Sequence, residues 1–86
     1  MKLVTLKALV ADVEEGSLRG AARRINVSQP ALTKMIRELE VELSTALLVR
    51  TSKGVLPTAQ GKVLYERSLK VSRELGAAVD EIRQLS

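Results

Sequence analysis

Eighty-six residues suffice for one small domain with at most an appendage, and a chain this short leaves its own core a thin stability margin. It holds no cysteine and no histidine, which excludes a disulfide framework, thiolate and ordinary zinc sites, and most nucleophilic triads. The net charge of +4 and a pI of about 9.9, above the threshold of about 9 for a nucleic-acid-binding domain, favour an anionic partner.

Forty-five per cent of the residues are apolar, yet Tyr65 is the only aromatic, so the core must be aliphatic. Such a core gains from a partner chain that covers more surface. Thr5, Lys7 and Asp12 interrupt the start of the chain, unlike the continuous apolar run of a signal peptide. No stretch approaches the ~18 apolar residues that a membrane span needs. A cytoplasmic protein without cofactor or metal is expected.

Leu3, Leu6, Leu9, Val10 and Val13 recur at helical spacing, which predicts an amphipathic helix over 2–15 that Gly16 ends. Ser17 is a good cap for a second, short helix through Leu18, Ala21, Ala22 and Ile25, and the alanine pair permits close helix approach. Asn26 stands where a helix end often needs a left-handed residue. Ser28 caps a third helix with Pro30 in its first turn, where a missing N–H costs nothing. Its buried stripe is Leu32, Ile36, Leu39 and Leu43, with Met35 on the flank; Pro30, Thr33, Lys34 and Arg37 fall on the opposite face. After Ser44 the period changes to two short strands, Leu47–Thr51 and Val55–Pro57, around Ser52-Lys53-Gly54. Thr58 is the expected cap of a last helix that reaches about residue 85. Along it Leu64, Ser68, Val71, Leu75, Ala78, Ile82 and Leu85 follow a four-three spacing, a seam of about three heptads. A lone helix of this length is marginal in water, so the seam needs a partner, most simply a second copy.

Two short helices joined by a tight turn and followed by a hairpin make a winged helix-turn-helix. The fold expected is mainly α: a three-helix core with a two-stranded wing over 1–58, then a long dimerising helix over 59–86. The charge is segregated to match. Arg19, Arg23, Arg24, Lys34 and Arg37 lie in a stretch without acids, as do Arg50, Lys53 and Lys62, while the acids gather at 12–15, at 38–42 and in the last third. The third helix therefore offers its N-terminal half to an anion. There Gln29 can pair bidentately with adenine, Thr33 can bond a phosphate, and Lys34 and Arg37 can neutralise backbone charge. The helix N-terminus adds partial positive charge.

The run from Ala21 to Glu40, with Ser28-Gln29-Pro30-Ala31 its most specific part, resembles the N-terminal signature of the LysR-type transcriptional regulators. Leu48-Val49-Arg50-Thr51 and Gly54 to Gly61 are similar to the same family's continuation, so the resemblance covers essentially the whole chain. It implies that Gln29 and Pro30 lie at the bases, that Ser28, Thr33 and Lys34 lie at phosphates or base edges, and that Arg50 and Lys53 of the wing approach the minor groove and backbone. It also implies that the last helix pairs two protomers on pseudo-palindromic operator DNA. The dimerising residues would be Leu64, Val71, Leu75, Ala78, Ile82 and Leu85. The chain departs from the family pattern at Ser44, where Gly is usual, at Ala46, where Pro is frequent, and at Leu48, where Phe is common. Family members continue into an effector-binding domain of two α/β lobes that senses a small molecule. These 86 residues are thus expected to be the DNA-binding part of a longer regulator, the alternative being a naturally short protein with the same head.

Bland readings stand beside these. Arg19, Arg23 and Arg24 are as well explained by a solvated face, and Lys62, Arg67, Lys70 and Arg73 by solubility. The competing function is a helical dimer whose basic surface binds an acidic protein. Catalysis would have to rest on carboxylates without an apolar pocket.

Overall fold

The computed structural model describes residues 1–86. The chain forms four helices, α1 (Leu3–Glu15), α2 (Leu18–Ile25), α3 (Gln29–Leu43) and α4 (Ala59–Leu85), with a two-stranded antiparallel wing of β1 (Leu48–Thr51) and β2 (Gly54–Pro57) between α3 and α4. This is the winged helix-turn-helix with a long last helix.

Local chemistry sets the boundaries. The hydroxyls of Ser17, Ser28 and Thr58 accept from the amides of Gly20, Ala31 and Gly61 at 3.0, 3.2 and 3.0 Å, closing the starts of α2, α3 and α4. Asn26 ends α2 in the left-handed region at φ 60° and ψ 48°, as its position in the sequence predicts. Ser44 ends α3 in the same region at φ 54°. A serine there carries the steric cost that glycine avoids, roughly 1–2 kcal/mol, partly offset because glycine is freer when unfolded. Ser44→Gly should therefore raise the unfolding midpoint by several degrees, corresponding to about 1 kcal/mol in a domain of this size. A thermal melt with an unchanged or lower midpoint would count against that strain.

The core is aliphatic and small: Leu9, Leu32 and Leu47 are its largest fully buried apolar residues, joined by Ala8, Ala11, Ala21, Ala22, Ile36 and Leu39. The alanine pair of α2 packs into this cluster, which lets α2 lie close on α1. Three expectations need correction. The buried stripe of α3 stops at Leu39, and Leu43, at the last turn before Ser44, is exposed. The buried face of α1 is centred on Ala8–Asp12, whereas Leu3 is 53% exposed, because the N-terminal end of α1 runs past the core toward α4. Asp12, grouped in the sequence with an acidic surface cluster, is wholly buried.

Contacts distant in sequence hold the wing down. The amide of Val55 donates to the carbonyl of Gly16 at 2.9 Å, and Val55 is buried. Gly54 sits at φ 128° against that same carbonyl, so a side chain would meet both backbone strain and a collision. Glu40, on the polar side of α3, accepts from the amides of Leu47 and Leu48 at 2.7 and 3.3 Å and so fixes the entry to β1. Thr58 closes the far end: its amide donates to Leu47 and its hydroxyl to the carbonyl of Ala46, at 2.9 and 2.7 Å. Gly61 then lies directly on the Leu47 carbonyl, where no Cβ fits.

The first turns of α4 belong to the domain core as well. Leu64 packs against the core cluster and Ser68 is buried with no partner for its hydroxyl. The expected division at 58/59 thus falls at the start of α4, while the helix leaves the core only about three turns later. From Val71 onward every residue of α4 is exposed.

Candidate nucleic-acid interface

The residues singled out on α3 and the wing meet in one open groove. Gln29, Pro30, Thr33, Lys34 and Arg37 line one side of it and Arg50 of β1 the other. Gln29 and Pro30 stand exposed in the first turn of α3, and Thr33, Lys34 and Arg37 follow one turn and two turns on along the same face. The wing joins that face through Arg50, whose Nη2 donates to the Thr33 Oγ1 at 3.3 Å. Ser28 is exposed at the mouth of α3; its oxygen accepts from the Ala31 amide, which leaves its proton free to donate outward. Lys53 is exposed at the hairpin tip, which is tied by the Lys53 amide donating to Thr51 Oγ1 at 3.1 Å.

The charges are arranged for an anion. At the far rim Glu38 lies 3.8 Å from Lys34 across one helical turn, a pair exposed enough to part when a stronger partner arrives. Glu40, the next acid on α3, is turned to the β1 amides and away from the groove. Arg24 is diverted elsewhere: it pairs with Glu14 and Glu15 of α1 at 2.6 and 3.3 Å. The Tyr65 hydroxyl also donates to Glu14 at 2.7 Å, and the Tyr65 and Arg24 hydrogen bonds hold that carboxyl below the usual range. So Arg24 stitches α2 to α1, and Arg19 and Arg23 remain exposed without an ion pair.

Periodicity and charge could not have found Asp12. It lies behind the groove, under Arg50, with neither carboxylate oxygen hydrogen-bonded. Burial pushes its pKa up to about 6, against the lowering effect of the Arg50 guanidinium.

The seam divides in two. Leu64 is spent on the chain's own core, whereas Val71, Leu75, Ala78, Ile82 and Leu85 are exposed. Spacing alone missed Val79 and Leu3, which with Leu6, Val71, Leu75 and Gly76 form an apolar trough between α4 and the start of α1. The apolar surface is therefore wider than a single heptad line.

Comparison with known proteins follows the same lines. The profile described as bacterial regulatory helix-turn-helix protein, lysR family, matches residues 3–62. The nitrogen assimilation regulatory protein nac of Klebsiella aerogenes is 42% identical over 74 residues, 86% of this chain and 24% of that protein. The chain thus spans about a quarter of the length of the curated relatives it matches. Among solved structures, the BenM DNA-binding domain on benA site 1 DNA superposes with a TM-score of 0.92 at 34% identity, covering 100% of both chains. The CbnR DNA-binding domain in complex with DNA gives 0.88 at 33% identity, over 99% of this chain and 98% of the other. No helix here is long and apolar enough to cross a membrane.

Proposed function

The chain belongs to the lysR family of bacterial regulatory helix-turn-helix proteins and forms a winged-helix DNA-binding domain of that type, and on that premise we propose how it engages its operator. The N-terminal half of α3 enters the major groove. There Gln29 and Pro30 meet base edges, and Ser28, Thr33, Lys34 and Arg37 hold phosphates or neighbouring edges. The wing reaches the flanking minor groove and backbone with Arg50 and Lys53. Two copies pair along α4 through Val71, Leu75, Ala78, Ile82 and Leu85. The operator is accordingly pseudo-palindromic, with half-sites about one helical turn or a multiple of it apart. Such a regulator works in the cytoplasm, where the chromosome is.

One observation carries this reading: six of the eight residues assigned to DNA share a single open groove formed by α3 and β1. Fluorescence anisotropy against a random pool of duplex DNA, in a salt series, tests it. Several phosphate contacts should give a steep log-log slope, about −0.9 for each. Sequencing of the bound fraction should then recover a two-fold site. A folded protein that fails to bind at low salt, or a shallow slope, would point to an acidic protein partner instead.

Gln29 is the sharpest test of base readout. Gln29→Ala should cost about 1–3 kcal/mol on the selected site and relax the preference at one base pair in each half-site. Selectivity that survives the change would remove Gln29 from direct readout, leaving the phosphate contacts untouched.

A further inference from the structure

Asp12 is the only charged side chain that is fully buried in this protein. It stands at the back of a cavity of about 80 Å³ whose wall includes Thr33, Arg37 and Arg50, the same side chains that line the outer groove. These three residues separate a carboxylate inside from the surface that faces DNA. The elements around the cavity supply few other charges: Arg37 and Glu40 come from α3 and Arg50 from β1, while α2 and β2 contribute only Leu18 and Val55. Glu40 already accepts from the Leu47 and Leu48 amides. Asp12 itself has no hydrogen-bond partner in the protein, and Arg50 is the charge that steadies it.

We propose that Asp12 is a positioning residue for DNA recognition: it attracts the Arg50 guanidinium from inside in the free protein, and takes up a proton when Arg50 turns to a phosphate. The inference rests on the DNA-binding reading and assigns that interface a coupling to pH. The physical argument is linkage. Burial already favours the neutral carboxyl, and Arg50 opposes it. When a phosphate engages Arg50, that opposition is lost and the negative potential of DNA adds to the burial effect. A proton from solvent then adds to one Asp12 oxygen. Because binding and protonation favour each other reciprocally, DNA affinity must rise as pH falls. With one proton involved, the change cannot exceed about tenfold per pH unit. The chain has neither histidine nor cysteine, so no other side chain ordinarily titrates between about pH 5 and 8.

The experiment is anisotropy on a duplex recovered from the random pool, at constant salt between about pH 5.5 and 8, for the intact chain and for Asp12→Asn. The native protein should lose affinity as pH rises, by up to about tenfold per unit, and Asp12→Asn should show a flat profile. Titration calorimetry of the native protein in two buffers of different ionisation enthalpy should show net proton uptake near pH 7. Carbon-13 titration of the Asp12 carboxyl should find its midpoint higher with DNA than without, a result that depends on no variant. A flat native profile with salt-steep binding intact overturns the coupling and leaves the DNA-binding reading standing. A slope that persists in Asp12→Asn overturns it equally. Absence of salt-dependent binding at every pH defeats both.

Discussion

Replacing Asp12 by valine should stabilise this domain at pH 8 by about 3 kcal/mol and flatten the dependence of its stability on pH. The folded protein holds the Asp12 carboxyl at a pKa of about 6, against an ordinary 3.8. Each unit of that difference corresponds to about 1.4 kcal/mol. The sign follows from proton counting. Between these two values the folded state binds more protons than the unfolded state, so stability is greatest below the lower value and is lost as pH rises through about 6. At neutral pH the domain therefore folds around a charge with no hydrogen bond and no close ion pair, which the nearby Arg50 offsets only in part. Valine fills similar space without a charge, beside Leu18, Ile36, Leu48 and Val55. Urea unfolding at about pH 4.5 and pH 8 checks this: the variant should gain over the native chain at the higher pH and far less at the lower one. Equal midpoints for the two proteins at pH 8 would mean that the carboxylate is compensated after all. For a small domain with a few kcal/mol to spare, so large a cost suggests use in the DNA interface above it, and the same variant should lose the pH-dependent part of DNA binding.

The second large effect concerns assembly. Leu75→Asp should convert a dimer into monomers by sedimentation. It should also weaken binding to a two-half-site duplex by about 10²–10⁴-fold, the usual gain from linking two binding events. Affinity for a duplex with one half-site should hardly change. Leu75 is 49% exposed in the trough with Leu3, Leu6, Val71 and Val79, far from the groove of α3 and the wing. An aspartate there is solvated in a monomer and is buried against apolar side chains only when a second copy covers the trough, so the cost falls on the dimer alone. A dimer that survives would move the pairing surface off α4 altogether. Leu64→Ala offers the contrast: its side chain packs on the chain's own core, so it should lower thermal stability of monomer and dimer alike.

Much of this architecture is written locally. Ser17, Ser28 and Thr58 mark helix starts because a cap needs only a hydroxyl and an amide a few residues away. Asn26 and Ser44 mark the ends of α2 and α3 for a similarly local reason. The faces of α3 follow from a rotation of ~100° per residue, which puts Leu32, Ile36 and Leu39 inside and Gln29, Lys34 and Arg37 outside without reference to anything else in the fold. Segregated charge then indicated which of these faces meets an anion. The readings that local pattern could not supply all depend on contacts between different elements of the fold. Glu40 looks like one more surface acid until the β1 amides, seven and eight residues on, come to its carboxylate. Arg24 reads equally as a DNA contact or a solvated surface charge until α2 is laid on α1 and Glu14 and Glu15 claim it. Gly61 looks like an ordinary helix glycine until the Leu47 carbonyl lies on it. Asp12 is the furthest from sequence-level inference. An acid followed by two more acids on an amphipathic helix belongs on the solvated side, and only the packing of α2, α3 and the wing against the Ala8–Asp12 face of α1 covers its position. The sequence by itself determined the elements, their approximate ends and the polar, basic face of α3, because those depend on interactions within one or two helical turns. Tertiary packing decided which charges are spent inside and which remain for a partner, because burial and pairing are properties of surfaces that meet only once the chain has folded.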